Sequence, residues 1–270
     1  MNNIPKEVGL TKMTKKSFLI FCALVSFLFS GCQSEHIKGF IVFGKWDGVY
    51  VAKKDDPFVL NFILLSDSPL TNVTSIDFPE IAHTIDDMQY DLIEGDKYKD
   101  FQLFNIAVNL HLKEVSSTTI SKITLIFDQK YKETFPIGHI KLVVSEKGIF
   151  TPQNEYVTAY PNTQFFQAKL KNISEHTIQI KRVTVENSFL QIKDVKINDK
   201  SEKQIVEANE TINIYFTLAE KSEQKADFYI VTPKIEYELA GKASSTYIDP
   251  VFYGVTTLTS EKLDDILKKN

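Results

Sequence analysis

Apolar and polar residues alternate one by one along several stretches of this sequence, and this alternation constrains the fold more than any other feature. The clearest stretch runs from Phe101 to Leu112, where every second residue from Phe104 to Leu110 is apolar. A period of two places one side of a strand on a core and the other side in water. Such stretches recur at short intervals and few windows have helical periodicity, so the sequence predicts an all-β sandwich fold.

The pattern of apolar residues occurs twice along the chain. Four apolar residues of the first half are followed by four of the second half at one offset of 107 residues (165 − 58): Phe58, Val73, Ile76 and Phe78, then Phe165, Ile180, Val183 and Val185. In rhythm and size the two halves resemble immunoglobulin-like modules of bacterial surface proteins. We therefore expect two tandem β-sandwich domains, over residues 38–147 and 148–256.

Two details of the first half carry local predictions. The Asp47-Gly48 pair between apolar runs is typical of a hairpin turn, so we predict a turn over Gly44 to Gly48. Trp46, the single tryptophan, lies in that predicted turn. It is either a core residue of a small sandwich or a contact aromatic, since tryptophan favours sites with one wet and one apolar side.

The most acidic segment lies in the mixed stretch between Pro79 and Asp100, which has no clear strand pattern. Oxygen-rich loops suit Ca²⁺, but the spacing matches no calcium loop and Lys97 and Lys99 follow closely. The sequence leaves open a solvated loop and a cation site. The six carboxylates are those of Asp86, Asp87, Asp91, Glu94, Asp96 and Asp100.

The last residues, 257–270, are typical of a short helix. Ser260 is a candidate cap, Glu261 lies in the first turn, and two lysines close the segment. Three apolar residues share one face of this helix: Leu263, Ile266 and Leu267. We expect this face to dock on the protein itself, because two turns do not hold in isolation.

The N-terminal segment has the features of an export signal. Two lysines, Lys15 and Lys16, precede an apolar block of about a dozen residues, which is too short to span a membrane. Its end, Phe29-Ser30-Gly31-Cys32, resembles the lipobox of bacterial lipoproteins, although that family usually has leucine where Phe29 stands. The resemblance implies cleavage between Gly31 and Cys32 and a diacylglycerol on the Cys32 thiol. The alternative is an ordinary signal peptide with a chance cysteine.

The lipobox resemblance implies an arrangement in which residues 1–31 are removed and residues 32–37 form a lipid tether. Met13 opens a better-formed signal than Met1, so we expect translation to start at residue 13, with residues 1–12 not translated. A single acyl chain gives only reversible membrane binding, whereas two give stable anchoring. The expected location is the extracytoplasmic face of the cell membrane, in a Gram-positive bacterium.

Charge and cysteine content exclude several functions. Without residues 1–31, 27 basic and 34 acidic residues remain of the original 31 and 35, because that segment holds four lysines and one glutamate. An acidic surface with a single arginine, Arg182, disfavours nucleic acid and phosphate ligands. If Cys32 is lipidated, no thiol remains for catalysis or metal binding, and no disulfide forms.

Motifs that would indicate an enzyme or a metal site are missing from the sequence. No two histidines have ligand spacing, and there is no nucleophile elbow or phosphate loop. Ser222 and Lys225 have the spacing of penicillin-interacting enzymes, without the companion motifs. We therefore expect no cofactor besides the lipid, and a non-catalytic module that binds or scaffolds another envelope protein. A ligand-binding lipoprotein serving a transporter or sensor, and an envelope enzyme, are the alternatives.

Overall fold

A computed structural model describes residues 39–113, 117–153, 165–200, 204–221, 226–255 and 258–269. Within them lie eighteen strands and one helix, α1 (Ser260–Lys268). Strands of the first half are β1 (Ile41–Phe43), β2 (Trp46–Lys53), β3 (Phe58–Ser66), β4 (Val73–Asp77), β5 (Ile85–Tyr98), β6 (Phe101–Leu112), β7 (Ser117–Phe127) and β8 (Tyr131–Ser145). Strands of the second half are β9 (Phe150–Pro152), β10 (Phe165–Asn172), β11 (Ile178–Val185), β12 (Leu190–Ile197), β13 (Ile205–Val206), β14 (Thr211–Glu220), β15 (Phe228–Val231), β16 (Pro233–Leu239), β17 (Lys242–Tyr247) and β18 (Val251–Tyr253).

The strands confirm the predicted all-β fold. They form four sheets, with the orders β1-β3-β6-β5, β18-β15-β2-β8-β7-β4, β12-β14-β10-β9 and β13-β11-β16-β17. Buried apolar side chains form two clusters, one between the first two sheets and one between the last two. Rings from facing sheets meet in the first cluster, as Phe43 and Phe135 do at 5.3 Å between centroids. Each cluster is thus the core of a two-layered sandwich.

Strands related by the sequence repeat have equivalent partners. β3 pairs antiparallel with β6, and β10, which lies at the repeat offset from β3, pairs antiparallel with β14. In both pairs alternate residues enter the core, including Phe104 and Ile106 in β6 and Ile212 and Ile214 in β14. The repetition of apolar pattern therefore corresponds to a repetition of strand pairing.

The sheets do not follow the predicted division at residue 148. β15 and β18 belong to the second half of the chain, yet they lie in the six-stranded sheet, where β15 pairs parallel with β2. All four residues of β15 are buried. Phe228 and Ile230 enter the first core, whereas Tyr229 and Val231 enter the second. One strand therefore contributes to both sandwiches.

The predicted hairpin at Asp47-Gly48 is wrong, because both residues lie inside β2. β1 pairs with β3 in one sheet while β2 lies in the other, so the chain changes sheets at Gly44 and Lys45. Gly48 has a φ of +148°, and a Cβ there would meet the Ile230 carbonyl oxygen at 2.1 Å. Glycine is needed at this position for the close approach of β15 rather than for a turn.

Helix α1 confirms the predicted C-terminal helix and belongs to the first core. Leu263 and Ile266 are buried in that cluster, and Leu267 packs against it. The cap is Thr259 rather than the expected Ser260, since the Thr259 hydroxyl accepts a hydrogen bond from the Lys262 amide at 3.3 Å. Among the described residues, no helix is both long enough and apolar enough to cross a membrane.

The Lys262 side chain lies against apolar surface on this helix. Its Nζ donates to the Gly254 carbonyl at 3.0 Å and stands 4.6 Å from the centre of the Phe228 ring. Desolvation lowers the pKa of Lys262 to about 8, although the charge of Asp227 opposes that shift. Below pH 8 this lysine is charged in both folded and unfolded protein, and the folded state bears the cost of burying the charge.

Raising the pH from about 8 to about 10.5 is therefore expected to increase the contribution of Lys262 to stability, because the unfolded state binds more protons in that window. In Lys262→Met this increase should disappear. The measurement is the urea midpoint of the full chain at several pH values. Lys268→Met, on the exposed side of α1, is the control and should keep the wild-type profile. Parallel profiles for wild type and Lys262→Met would contradict the assignment.

Candidate functional site

The candidate site is a groove at one side of the first sandwich, where edge strands of the two sheets face each other. It encloses about 710 Å³ between β5, the start of β6 and the segment that leads into β4. Its apolar lining consists of Pro69, Leu70, Val73, Leu92, Phe101 and Phe104. Its charged lining consists of Asp67, Glu94, Lys97, Lys99 and Asp100. The groove is therefore lined by both apolar and charged side chains.

Strand periodicity places the β5 side chains in this groove. Leu92 lies opposite Ile106 and Glu94 opposite Phe104, and both β6 residues point into the core. Because side chains alternate along a strand, Leu92 and Glu94 share this inner face while Asp91 and Ile93 lie on the outer face. Beyond Glu94 the pairing with β6 shifts register, which marks an irregularity next to the site.

The opposite wall is a turn held by local hydrogen bonds. The Ser66 hydroxyl donates to the Ser68 carbonyl at 2.7 Å, and the Ser68 hydroxyl donates to Asp67 Oδ1 at 2.9 Å. Asp67 Oδ1 also accepts from the Phe40 amide at 2.7 Å. The first described residues of the chain therefore lie at the margin of the groove.

A second set of contacts ties the β5–β6 turn to helix α1. The Tyr98 hydroxyl donates to Asp264 Oδ1 at 2.8 Å, and Lys99 forms an ion pair with the same carboxylate. Hydrogen bonds from Lys99 and Tyr98 lower the pKa of Asp264, and the bond to Asp264 raises the pKa of Lys99. Asp67 and Lys99 are thus engaged by other groups of the protein, whereas Glu94 and Asp100 are exposed at the margin.

The acidic segment does not form the loop or cation site considered above. Its first five carboxylates lie along β5, and the sixth, Asp100, follows in the turn, so at about 3.3 Å per residue the set is spread along a strand. All six residues are exposed, and Asp86 contacts His111 at 3.3 Å. Within the described ranges no group of three metal-ligating side chains converges. The prediction that is corrected here concerned the carboxylates of Asp86, Asp87, Asp91, Glu94, Asp96 and Asp100.

Trp46 cannot act as a contact aromatic, because it is 1% exposed. It lies in β2, and its ring packs against Phe228 at 4.9 Å and Phe252 at 5.8 Å. The interpretation of Trp46 as a core residue is the one that the structure supports.

A smaller cavity of about 380 Å³ lies between β2, β8 and the segment before β12. It holds Asp47, His139, Lys141, Glu186 and Ser188, and the Ser188 hydroxyl donates to Asp47 at 3.0 Å. Nucleophilic catalysis needs a base within hydrogen-bond reach of the nucleophile. Asp47 lies within that reach of the Ser188 hydroxyl, and the arrangement assigns no catalytic role to His139.

The remaining candidates from the sequence lie outside the described residues. These are the cleavage and lipidation residues Gly31 and Cys32 and the pair Ser222 and Lys225. The groove itself was not predicted. The sequence held one signal for strand β5, since Met88, Tyr90 and Leu92 alternate with polar residues. The charged residues between and after them obscured this alternation.

Comparisons with known proteins do not assign the chain to a family. No family model and no curated protein matches it. Among solved structures, a Porphyromonas gingivalis W83 protein of unknown function is 9% identical with a TM-score of 0.25, covering 79% of this chain and 98% of that one. The fibronectin(III)-like modules of Clostridium thermocellum CbhA are 12% identical with a TM-score of 0.22, covering 82% and 97%.

The adhesive subunit CfaE of the CFA/I fimbria of enterotoxigenic Escherichia coli is a further match, with 10% identity and a TM-score of 0.24 over 78% of this chain and 99% of that one. TM-scores of this size support no functional inference. The description of this chain as an all-β sandwich protein therefore rests on its own strands and cores.

Proposed function

We propose that this protein is a lipid-anchored extracytoplasmic protein that binds another envelope protein and catalyses no reaction. The binding part of the proposal rests on one observation, the groove of about 710 Å³ between two strand edges. Concave sites that combine apolar side chains with a few polar and charged groups are typical of sites that recognise other molecules. The anchoring part rests on the lipobox-like sequence that ends at Cys32.

Chain length supports a partner in or just above the membrane. Gly39 follows Cys32 by seven residues (39 − 32), which span at most about 25 Å when fully extended. A Cβ at Gly39 would meet Ser68 Oγ at 2.6 Å, and Ser68 lines the groove. If Cys32 carries lipid, the groove therefore lies within a short distance of the anchor.

Replacing Cys32 by alanine tests the anchor. We expect the wild-type protein to fractionate with membranes and its mature N-terminal peptide to begin at Cys32 with the mass of an attached lipid. Cys32→Ala should leave the membrane fraction and retain its signal. Recovery of an unmodified Cys32 peptide from wild-type protein would refute the lipid anchor.

The partner is tested by crosslinking in intact cells followed by pull-down. A specific membrane protein should be captured with the wild-type chain and lost with Cys32→Ala. Failure to capture any partner would count heavily against the scaffold role.

A ligand-binding lipoprotein for a transporter or sensor is the second candidate, favoured by the volume of the groove. Ligand pockets commonly enclose about 300–1,000 Å³, and the groove falls in that range. Mass spectrometry of the protein purified from its native membrane distinguishes the two, because a co-purifying small molecule favours the ligand-binding role. For the third function considered, an envelope enzyme, the smaller cavity supplies polar groups, among them Asp47, His139 and Ser188.

A further inference from the structure

Strand β5 presents a long edge of backbone groups beside the groove. It has fourteen residues, and in the described part of the chain it pairs with β6 alone. Across the groove β4 pairs with β7 alone. Along an edge strand, alternate residues direct their N–H and C=O groups away from the sheet. The edge of β5 therefore offers hydrogen-bond donors and acceptors to an added strand.

The groove would receive one face of such a strand. Side chains of a strand hydrogen-bonded to β5 alternate between the two faces of the sheet, and one set lies on the same side as Leu92. On that side the apolar lining includes Leu92 and Val73, beside the carboxylate of Glu94. Apolar residues at every second position would thus extend the first core.

Charge decides which strand fits. β5 carries five carboxylates and one lysine, Lys97, and the carboxylates lie on both faces, with Asp91 on the outer face and Glu94 on the inner face. A second copy of this chain would bring an equally acidic β5 edge to the same place, and like charges across a strand pair are destabilising. A basic strand gains from the same arrangement.

We infer that the β5 edge docks an extended segment of a partner protein in which apolar residues alternate with lysine or arginine. The segment adds a fifth strand to the β1-β3-β6-β5 sheet, with its apolar residues in the groove and its basic residues near Asp91 on the outer face. This mode of recognition takes affinity from backbone hydrogen bonds and specificity from alternate side chains. The inference rests on the proposed protein-binding function and specifies its partner.

The probe is a fluorescent twelve-residue peptide of alternating valine and lysine, added to the full chain in detergent. Anisotropy should show saturable binding, and a valine–glutamate peptide should bind at least about tenfold more weakly. Asp91→Lys should weaken binding of the lysine peptide about tenfold. Glu175→Lys, an equal charge change at an exposed turn of the second sandwich, should leave it unchanged. Equal affinities for the two peptides, or no binding at all, would overturn the inference.

Strand pairing is tested separately from charge. Two versions of the peptide carry N-methyl groups on alternate backbone nitrogens, one on the odd residues and one on the even residues. Each version lacks N–H donors on one edge only. The version methylated on the edge that faces β5 should not bind, and the other should bind. Hydrogen exchange should slow in β5 and not in the edge strand β12. Equal binding by both methylated peptides, or protection confined to other strands, would show that no strand is added to β5.

Crosslinking at defined positions separates failure of this inference from failure of the proposed function. A photoreactive residue replaces Ile93 on β5 or Ile205 on β13, which are 51% and 62% exposed. Capture of the membrane partner from Ile93 and not Ile205 supports docking at β5. Capture from Ile205 alone overturns the inference and leaves the protein-binding function intact. Absence of a partner at both positions and in the pull-down counts against the function itself.

Discussion

Replacing Gly48 by alanine is expected to lower the free energy of unfolding by about 3 kcal/mol, because the new Cβ would collide with backbone. At this position β15 passes so close that the Cβ would lie 2.1 Å from the Ile230 carbonyl oxygen, and a carbonyl cannot rotate away as a side chain can. Relief of the clash requires β15 to move, and β15 belongs to both cores. The measurement is urea unfolding of the full chain.

Gly241→Ala is the matched control for the Gly48 prediction. Gly241 also has a positive φ, +77°, but nothing lies within 4 Å of its ideal Cβ. Its substitution should cost only the backbone strain, about 1–2 kcal/mol. Amide exchange of β15 should accelerate in Gly48→Ala and not in Gly241→Ala. Equal losses of stability in the two variants would show that the close approach of β15 is not the reason why position 48 requires glycine.

Asp227→Ala is the second substitution with a large expected effect, a loss of about 2–4 kcal/mol in the free energy of unfolding. The Asp227 side chain is 2% exposed. Its Oδ2 accepts from the Lys45 amide at 2.8 Å, and its Oδ1 pairs with Lys269 Nζ at 3.1 Å. Alanine leaves a backbone donor without its acceptor and removes the negative charge that faces Lys262 and Lys269.

Three variants show which of these losses dominates. Lys269→Met should cost less than Asp227→Ala, because Lys269 is 44% exposed and the carboxylate keeps its bond to the Lys45 amide. Asp227→Asn retains an acceptor and should fall between the two. Asp265→Ala, which removes an exposed carboxylate 3.8 Å from Lys268, should change stability by less than about 0.5 kcal/mol. If Asp265→Ala lowered the free energy of unfolding as much as Asp227→Ala does, burial of the Asp227 carboxylate would not explain its effect.

Local periodicity was sufficient to predict the strands whose one face is buried and the helix at the end. β6 and β14 alternate cleanly because each has a sheet partner on both sides and a core on one face only. β15 does not alternate, since both of its faces are buried. The division of strands among sheets depends on contacts between residues 46 and 228, which no local pattern records.

The candidate site was harder to predict than the fold for a related reason. A groove forms where two sheets diverge, so it depends on the relative position of β4 and β5 and on no single motif. The carboxylates of β5 suggested a calcium loop because their number is visible in the sequence and their spread along a strand is not. Trp46 similarly lies in β2 because of its partners Phe228 and Phe252, which follow it by about two hundred residues.

The pairing of β2 with β15 determines when the six-stranded sheet can be completed during synthesis. The Lys45 amide and the Asp227 carboxylate are 182 residues apart in sequence. β2 has no partner on its β15 side until residues 228–231 have been made, and contacts of such long range slow folding. The first core therefore lacks Phe228 and Ile230 until β15 has been made. A protein truncated before β15 would present the open edge of β2 to other chains, so a strand from the second half of the chain protects the first sandwich from edge-to-edge association.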